Sequence, residues 1–296
     1  MRKNRLLIIG CGDVVIRALP WLTQRFKVYA TARSAEAAGK LRKLGLIPVL
    51  CDLDQAASLH RLSGLARWII YSAPPAGEGN DDIRCKRFIA KMERYTGFDK
   101  SAILTPRHLA YISTSGVYGD CKGEWVAETR PLFAQSARAI RRVAAENSLK
   151  AWARSQKIKL AILRAPGIYA RERLPVQRIM QATPALISNE DSWSNHIHAD
   201  DLAKAVSIAL FRGKPLRAIN VVDDQPHKMG DYFDQVADFI GQPHPPRISR
   251  QDAPAALSAS LMSFLNESRR LRNIRLKKEL RLKLKWPSVD FFLKQK

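Results

Sequence analysis

A chain of 296 residues, 46% of them hydrophobic, can bury a sizeable core, which excludes disorder as its main state and suits one large domain or a domain carrying a smaller lobe. The apolar run after the basic start, MRKNRLLIIGCGD, is too short for a signal segment, and no stretch approaches the roughly 18 apolar residues of a membrane span, so a cytoplasmic protein with no membrane partner is expected. The formal charge of +23 invites anionic partners, but the basic residues are spread through most helices, and the densest block, 268–285, has no aromatic side chain before Trp286 to stack a base; nucleic acid is not the expected partner.

Short aliphatic or β-branched runs alternate with longer helical patterns through the first half. Strands are expected at 5–10, 27–32, 47–51, 67–72, 108–113, 159–165 and 218–223, and helices at 13–25, 35–44, 55–64, 82–96, 135–156 and 199–211. Near-continuous apolar strands between helices predict an α/β fold, a Rossmann-type doubly wound parallel sheet with a small C-terminal substrate lobe. Residues 1–165 would form the dinucleotide-binding domain. Residues 166–296, with proline-rich connections and helices near 228–240 and 254–266, would return strands and helices to the sheet and build the lobe. The four cysteines, Cys11, Cys51, Cys85 and Cys121, show neither disulfide nor zinc-site spacing, and no metal site is indicated.

Gly10 and Gly12 follow the first strand and open a helix, the place where free N–H groups face a pyrophosphate. Asp13 and Val14 continue this turn, and Val15 stands where a third glycine is usual. The second strand ends without the acid that would take the adenosine ribose; Arg33 there favours NADP(H), with NAD(H) left open. Asp52 and Leu53 after the third strand, and Ala73 and Pro74 after the fourth, extend the expected cofactor-binding set.

The blocks STSGVYG, LRAPGIYARERLP, NHIHADDLAKAV and NVVDDQP, with the Gly-x-Gly turn, resemble the extended short-chain dehydrogenase/reductases of the NAD-dependent epimerase/dehydratase type over nearly the whole chain. The nearest likeness is to nucleoside-diphosphate-sugar-epimerase-like members. The resemblance implies a Ser or Thr at the fifth strand and a Tyr-x-x-x-Lys pair on the next helix, which move a proton while the nicotinamide moves a hydride. The hydroxyl falls on Thr114. Counting back from Glu146 puts Arg138 at the tyrosine and Arg142 at the lysine.

An arginine, with a pKa above about 12, cannot replace a phenol as an acid near neutrality, although Arg142 can still do the lysine's binding work. Tyr118 and Tyr169 are the remaining phenol candidates for the proton. Arg138, Arg142, Arg164, Arg171 and Arg173 suggest an anionic substrate, and Glu124, Trp125 and Glu128 either line its mouth or fold their loop. His196 and His198 are too few for a metal, and the helix after them is expected to be capped by Asp200 or Asp201. The expected function is an NADP(H)-binding oxidoreductase or epimerase for a small anionic or sugar-like substrate. The alternative is a catalytically inactive NAD(P)-binding sensor or scaffold, and a homodimer is left open.

Overall fold

A computed structural model describes residues 3–93 and 104–295. Seven strands, β1 Asn4–Ile9, β2 Phe26–Ala32, β3 Ile47–Leu50, β4 Trp68–Tyr71, β5 His108–Thr114, β6 Lys159–Ala165 and β7 Arg217–Asn220, form one parallel sheet in the order β3-β2-β1-β4-β5-β6-β7. The chain leaves β1 toward β2 and β3, then returns to place β4 on the other side of β1. That reversal opens a crevice beyond the carboxyl ends of β1 and β4.

Five helices cover the sheet, α1 Asp13–Arg25, α2 Ala35–Lys43, α3 Ile83–Glu93, α4 Ala137–Ser155 and α5 Ala199–Arg212, while α6 Met229–Ile240 packs outside it in a C-terminal cluster with Tyr169, Ile179 and Val289. The period-2 alternation of β1 shows how both faces are filled. Leu6 and Ile8 meet Val15, Leu19 and Leu22 of α1 with Leu202 and Val206 of α5, while Leu7 and Ile9 meet Phe88 of α3 with Leu149 and Trp152 of α4. These four apolar side chains of β1 are fully buried, each stabilising the fold by about 1.5–3 kcal/mol.

Some expected elements changed form. The stretch expected as a helix at 55–64 is a 3₁₀ turn, Ala56–Leu62, where the Ser58 hydroxyl is engaged with the carbonyls of Asp52 and Gln55. Residues expected as one helix at 254–266 split into Ala253–Ala256 and Ala259–Leu265, because Ser258 leaves helical backbone to cap the second piece at Leu261 N. The last residues of the helix expected at 82–96 lie outside the described ones. The cap of α5 is neither Asp200 nor Asp201 but His198, whose Nδ1 accepts from Asp200 N at 3.1 Å; the Asp201 carboxylate instead accepts from the Lys285 and Trp286 amides.

Beyond Ala165 the chain still serves the sheet through α5 and β7, and it also builds short ladders outside it. Gly167–Tyr169 pairs with His196–His198, Trp193–Ser194 with His227–Lys228, Ala185–Leu186 with Arg247–Ile248, and Trp125–Val126 with Arg270–Leu271. The basic block 268–285 is anchored by buried Leu271, Leu276, Leu280 and Leu282, and by ion pairs of Arg269 with Glu267 and Lys277 with Asp224. Among the described residues, no helix is long and apolar enough to cross a membrane.

Candidate functional site

Two hollows lie beyond the carboxyl ends of the strands. The first is a cleft of about 390 Å³ lined by Gly10, Cys11, Gly12, Arg33, Asp52 and Ala73, with Leu53, Pro74, Ser34 and Arg84 at its edges. Gly10 adopts φ +82°, and a side chain there would come within 2.8 Å of the Ala73 backbone; only glycine lets the β1 turn approach the end of β4 so closely. At Gly12, by contrast, a Cβ would meet nothing of the protein within 4 Å. That open space beside the N-terminus of α1 fits the pyrophosphate of a dinucleotide.

Val15, at the third glycine position, is buried in the α1 core and does not enter the cleft, and Val14 is buried beside it. Asp13, in the first turn of α1, would repel a phosphate, but Arg17 and Arg173 both pair with its carboxylate. Arg33 is exposed at the end of β2, next to Ser34, whose hydroxyl caps α2 by accepting from Ala37 N. Asp52 lines the cleft and accepts from Asp54 N at 3.0 Å. Arg84, which the sequence analysis did not single out, holds the floor through Asp54 and the carbonyls of Pro74 and Pro75.

The second feature is a cavity of about 160 Å³ past the end of β5, lined by Thr114, Ser115, Gly116, Arg138, Trp193, His196, Phe264, Glu267 and Arg269 among others. Thr114 Oγ1 accepts from Gly116 N at 3.2 Å, which leaves its own proton free to donate. Arg138 lies 3.6 Å over the Phe264 ring. Burial draws its guanidinium below the usual arginine value, Glu267 opposes this and Arg269 adds to it; the group stays charged at neutral pH. One helical turn on, Arg142 Nη1 donates to Tyr111 Oη at 3.0 Å, Ile112 O at 3.1 Å and Ala73 O at 3.4 Å. It therefore bridges the ends of β4 and β5.

The remaining residues of the α4 stripe go elsewhere. Glu146 is fully buried and holds Arg164 through two bonds of 3.0 and 2.7 Å, while Ser113 donates to the same carboxylate. Burial alone would push the Glu146 carboxyl up, but Arg164 and Ser113 together hold it below the usual range. Arg164 also donates to Tyr118 Oη at 2.8 Å, and Tyr118 donates to Asn220 Oδ1 at 2.7 Å. Tyr118 thus points into the core and does not line the cavity, and burial raises its phenol to about 12. This corrects its place among the catalytic candidates, and Arg164 is likewise an internal partner rather than a substrate contact.

The other candidates are also placed by packing. Tyr169 is buried against His198 and Phe292, with its phenol raised by that burial. Arg173 pairs with Asp13, and Arg171 lies near the Phe239 ring. Glu128 is buried and accepts from Asn220 N, Glu124 pairs with Arg130, and Trp125 lies outside the cavity under Arg270. Among the described residues, no group of three or more His, Cys, Asp or Glu side chains is arranged to hold a metal ion. Trp193, Phe264, Glu267 and Arg269 are the cavity residues sequence reasoning missed. They come from short elements and connections with no motif, and the Trp125–Val126 pairing with Arg270–Leu271 fixes the chain next to Glu267 and Arg269.

The sequence model of the NAD dependent epimerase/dehydratase family matches residues 12–221, which contain six of the sheet's seven strands, β2 to β7, most of the cleft residues and the Arg138–Arg142 helix. The chain belongs to that family. No curated protein matches its sequence. A functionally unknown conserved protein from Silicibacter pomeroyi DSS aligns with a TM-score of 0.77 and 26% identity, covering 98% of this chain and 97% of that one. A UDP-glucose 4-epimerase from Thermotoga maritima, solved with UDP-glucose, aligns with a TM-score of 0.75 and 16% identity over 98% and 96% of the two chains. A dTDP-glucose 4,6-dehydratase from Bacillus anthracis in complex with NAD gives 0.74 and 13% over 98% and 96%. At the identities of these two enzymes the likeness shows the fold, a seven-stranded parallel sheet flanked by helices. In this member of the epimerase/dehydratase family the crevice lies at the β1/β4 switch point, and α4 carries the guanidinium groups of Arg138 and Arg142 one turn apart.

Proposed function

We propose that the protein is an NADP(H)-dependent oxidoreductase or epimerase acting on a small anionic or sugar-like substrate. The observation that carries this reading is the pair of hollows at the carboxyl ends of the strands, a cleft with room for a pyrophosphate at Gly12 and a cavity lined by Thr114 and Arg138, with Arg142, one turn from Arg138, bonded to Ala73 of the cleft wall. A nicotinamide dinucleotide in the cleft supplies a hydride donor or acceptor. The residues that would hold it are Gly10, Gly12 and the first turn of α1 at the pyrophosphate, Arg33 and Ser34 at a 2′-phosphate, Asp52 and Leu53 at the adenine, Ala73 and Pro74 beneath it, and Arg142 at the nicotinamide ribose.

Thr114 donates to a substrate oxygen, and Arg138 attracts a negative group while its guanidinium stays fixed on Phe264. The cavity is smaller than the roughly 300 Å³ at which pockets for drug-sized ligands begin, so it suits a small molecule or a single ring. The nearby arginines favour an anionic or polyhydroxylated one.

Calorimetric titration with NADPH and NADH, each against wild type and Arg33→Ala, tests the cofactor assignment. The expected result is preferential NADPH binding that weakens by about 5- to 30-fold in the variant, as loss of a charge-assisted contact implies, with NADH affinity nearly unchanged. Equal loss for both cofactors would remove Arg33 from the phosphate site.

A second reading is favoured by the closure of Tyr118 and Tyr169 inside the core: a sensor or scaffold that binds the cofactor without turnover. A turnover screen with Thr114→Ala separates the two. Activity lost in the variant with cofactor affinity retained supports the enzyme; no activity in wild type supports the scaffold.

A further inference from the structure

With Arg138 in place of the phenol, the cavity needs another group to move the proton. We propose that Glu267 is that group, a catalytic residue supplied by the C-terminal segment rather than by the α4 helix; this rests on the enzyme reading above.

The geometry singles it out. Glu267 is 7% exposed, lines the cavity beside Thr114, and its Oε1 is buried with no hydrogen-bond partner. A buried carboxylate oxygen without a partner is costly, and a substrate hydroxyl would satisfy it. The other oxygen is held: Arg269 Nη1 donates to Oε2 at 2.9 Å and to Gly119 O at 2.7 Å. The site a Gly116 Cβ would occupy lies 3.6 Å from Thr114 Oγ1 and 3.7 Å from Glu267 Oε2, so both polar groups converge on the same end of the cavity.

The backbone around Glu267 is also fixed. Glu267 N donates to Phe264 O, Ser268 N donates to Asp120 Oδ1, and Ser268 O accepts from Cys121 N and Gly123 N. Such anchoring keeps a reacting group in place.

The alternatives in the cavity fit less well. Arg138 does not release a proton near neutrality. His196 is held down to about 3 by burial and by His227, far from the working range of a general acid or base. Ser115 and Thr114 are hydroxyls, which need a separate base to move a proton near neutrality.

In the reductive direction, a hydride from a nicotinamide held in the cleft would add to the substrate carbonyl carbon as the C=O π bond breaks toward oxygen, and Glu267 Oε1 would deliver the proton to that oxygen. The nicotinamide would be oxidised as the carbonyl is reduced, and a proton from solvent would replace the one delivered. In the oxidative direction Oε1 accepts the alcohol proton as hydride leaves carbon.

The test compares wild type with Glu267→Gln, which keeps the shape and the Arg269 contact, and uses two small carbonyl probes, glycolaldehyde and glyoxylate, with NADPH. The expected result is a fall in kcat of about 10²- to 10⁴-fold, with NADPH affinity by calorimetry unchanged. Formate should partly restore turnover to Glu267→Ala, an effect that a purely structural role would not produce.

A substrate-free measurement checks the orientation: acetate binding to the cofactor-free protein, followed through Trp193 emission and assigned with Trp193→Phe. If Oε1 faces the cavity, removing its charge in Glu267→Gln tightens acetate binding by about fivefold or more. Unchanged acetate affinity, or turnover in Glu267→Gln within about threefold of an active wild type, overturns the proposal while leaving the enzyme reading intact. A wild type that binds NADPH yet reduces neither probe removes the enzyme reading and the role of Glu267 with it.

Discussion

Arg164 shows how a residue can look like part of a site and be part of the core. In sequence it is an arginine at the end of an apolar strand, one of the five that suggest an anionic substrate. In the structure its guanidinium is 3% exposed and bound to the fully buried Glu146, with Tyr118 and the Glu128 carbonyl taking remaining donors. Replacing Arg164 with Leu leaves Glu146 buried without its main counter-charge, which should destabilise the protein by about 3–5 kcal/mol in urea unfolding. The pH dependence follows from Glu146, whose folded value is depressed. Its contribution is present above the ordinary glutamate value of about 4.3 and is lost as pH falls through the lower folded value. In wild type, urea unfolding should show that loss only on acidification below about pH 4, and Glu146→Gln, less stable at neutral pH, should lack this part of the acid slope. The residue scale is also where the sequence was least legible. Nothing in the spacing of Glu146, Arg164 and Tyr118 says that they share one buried network, because their contact is made only when β5, β6 and α4 stack.

At the scale of elements, the seven strands were legible because burial on both faces demands long aliphatic runs, and the helices between them because turns and polar positions break those runs cleanly. The cap of α5 was less legible. Asp200 and Asp201 look like the natural cap, yet Asp200 pairs with Arg17, Asp201 holds the Lys285–Trp286 backbone, and His198 takes the cap. For Nδ1 to accept from Asp200 N the ring must be neutral, and burial lowers its value to about 4, with Asp200 opposing and Arg17 adding to the shift. A histidine with a depressed folded value stabilises the fold fully above its unfolded value, near 6.5, and loses that stabilisation as pH falls toward 4. Thermal unfolding of wild type should therefore decline across that window. His198→Asn keeps a capping oxygen and should flatten the decline, whereas His198→Ala should lose about 1 kcal/mol at neutral pH. A decline of equal slope in His198→Asn would assign the acid sensitivity to His196 instead, whose buried ring is lowered further, to about 3.

For the whole molecule the excess of cations is the property that local contacts do not absorb. Many of the 27 acidic side chains are already engaged in pairs such as Arg217 with Glu279 and Arg84 with Asp54, so salt bridges leave a large uncompensated positive field. The family match explains the fold beneath that charge but not the charge itself, and the C-terminal block shows why sequence alone left it ambiguous. Its basic residues read as a solvated or anion-seeking run, while the leucines between them, Leu271, Leu276, Leu280 and Leu282, are core residues that bind the run to the body. The same irregular segment carries Glu267 and Arg269 to the cavity, which is why the far wall of the site was invisible to motif reading. Two effects of salt should follow, with opposite signs. Raising ionic strength shortens the Debye length from about 30 Å at 0.01 M to about 8 Å at 0.15 M, which weakens self-repulsion and should raise Tm. The same screening weakens long-range attraction of an anionic ligand, so NADPH affinity should fall over that range, and by more than NADH affinity because of the additional phosphate charge. Calorimetry and thermal unfolding in one salt series measure both. A Tm that falls with salt would mean that the surface ion pairs outweigh the net repulsion, and equal slopes for the two cofactors would place the 2′-phosphate outside the field of Arg33 and its neighbours.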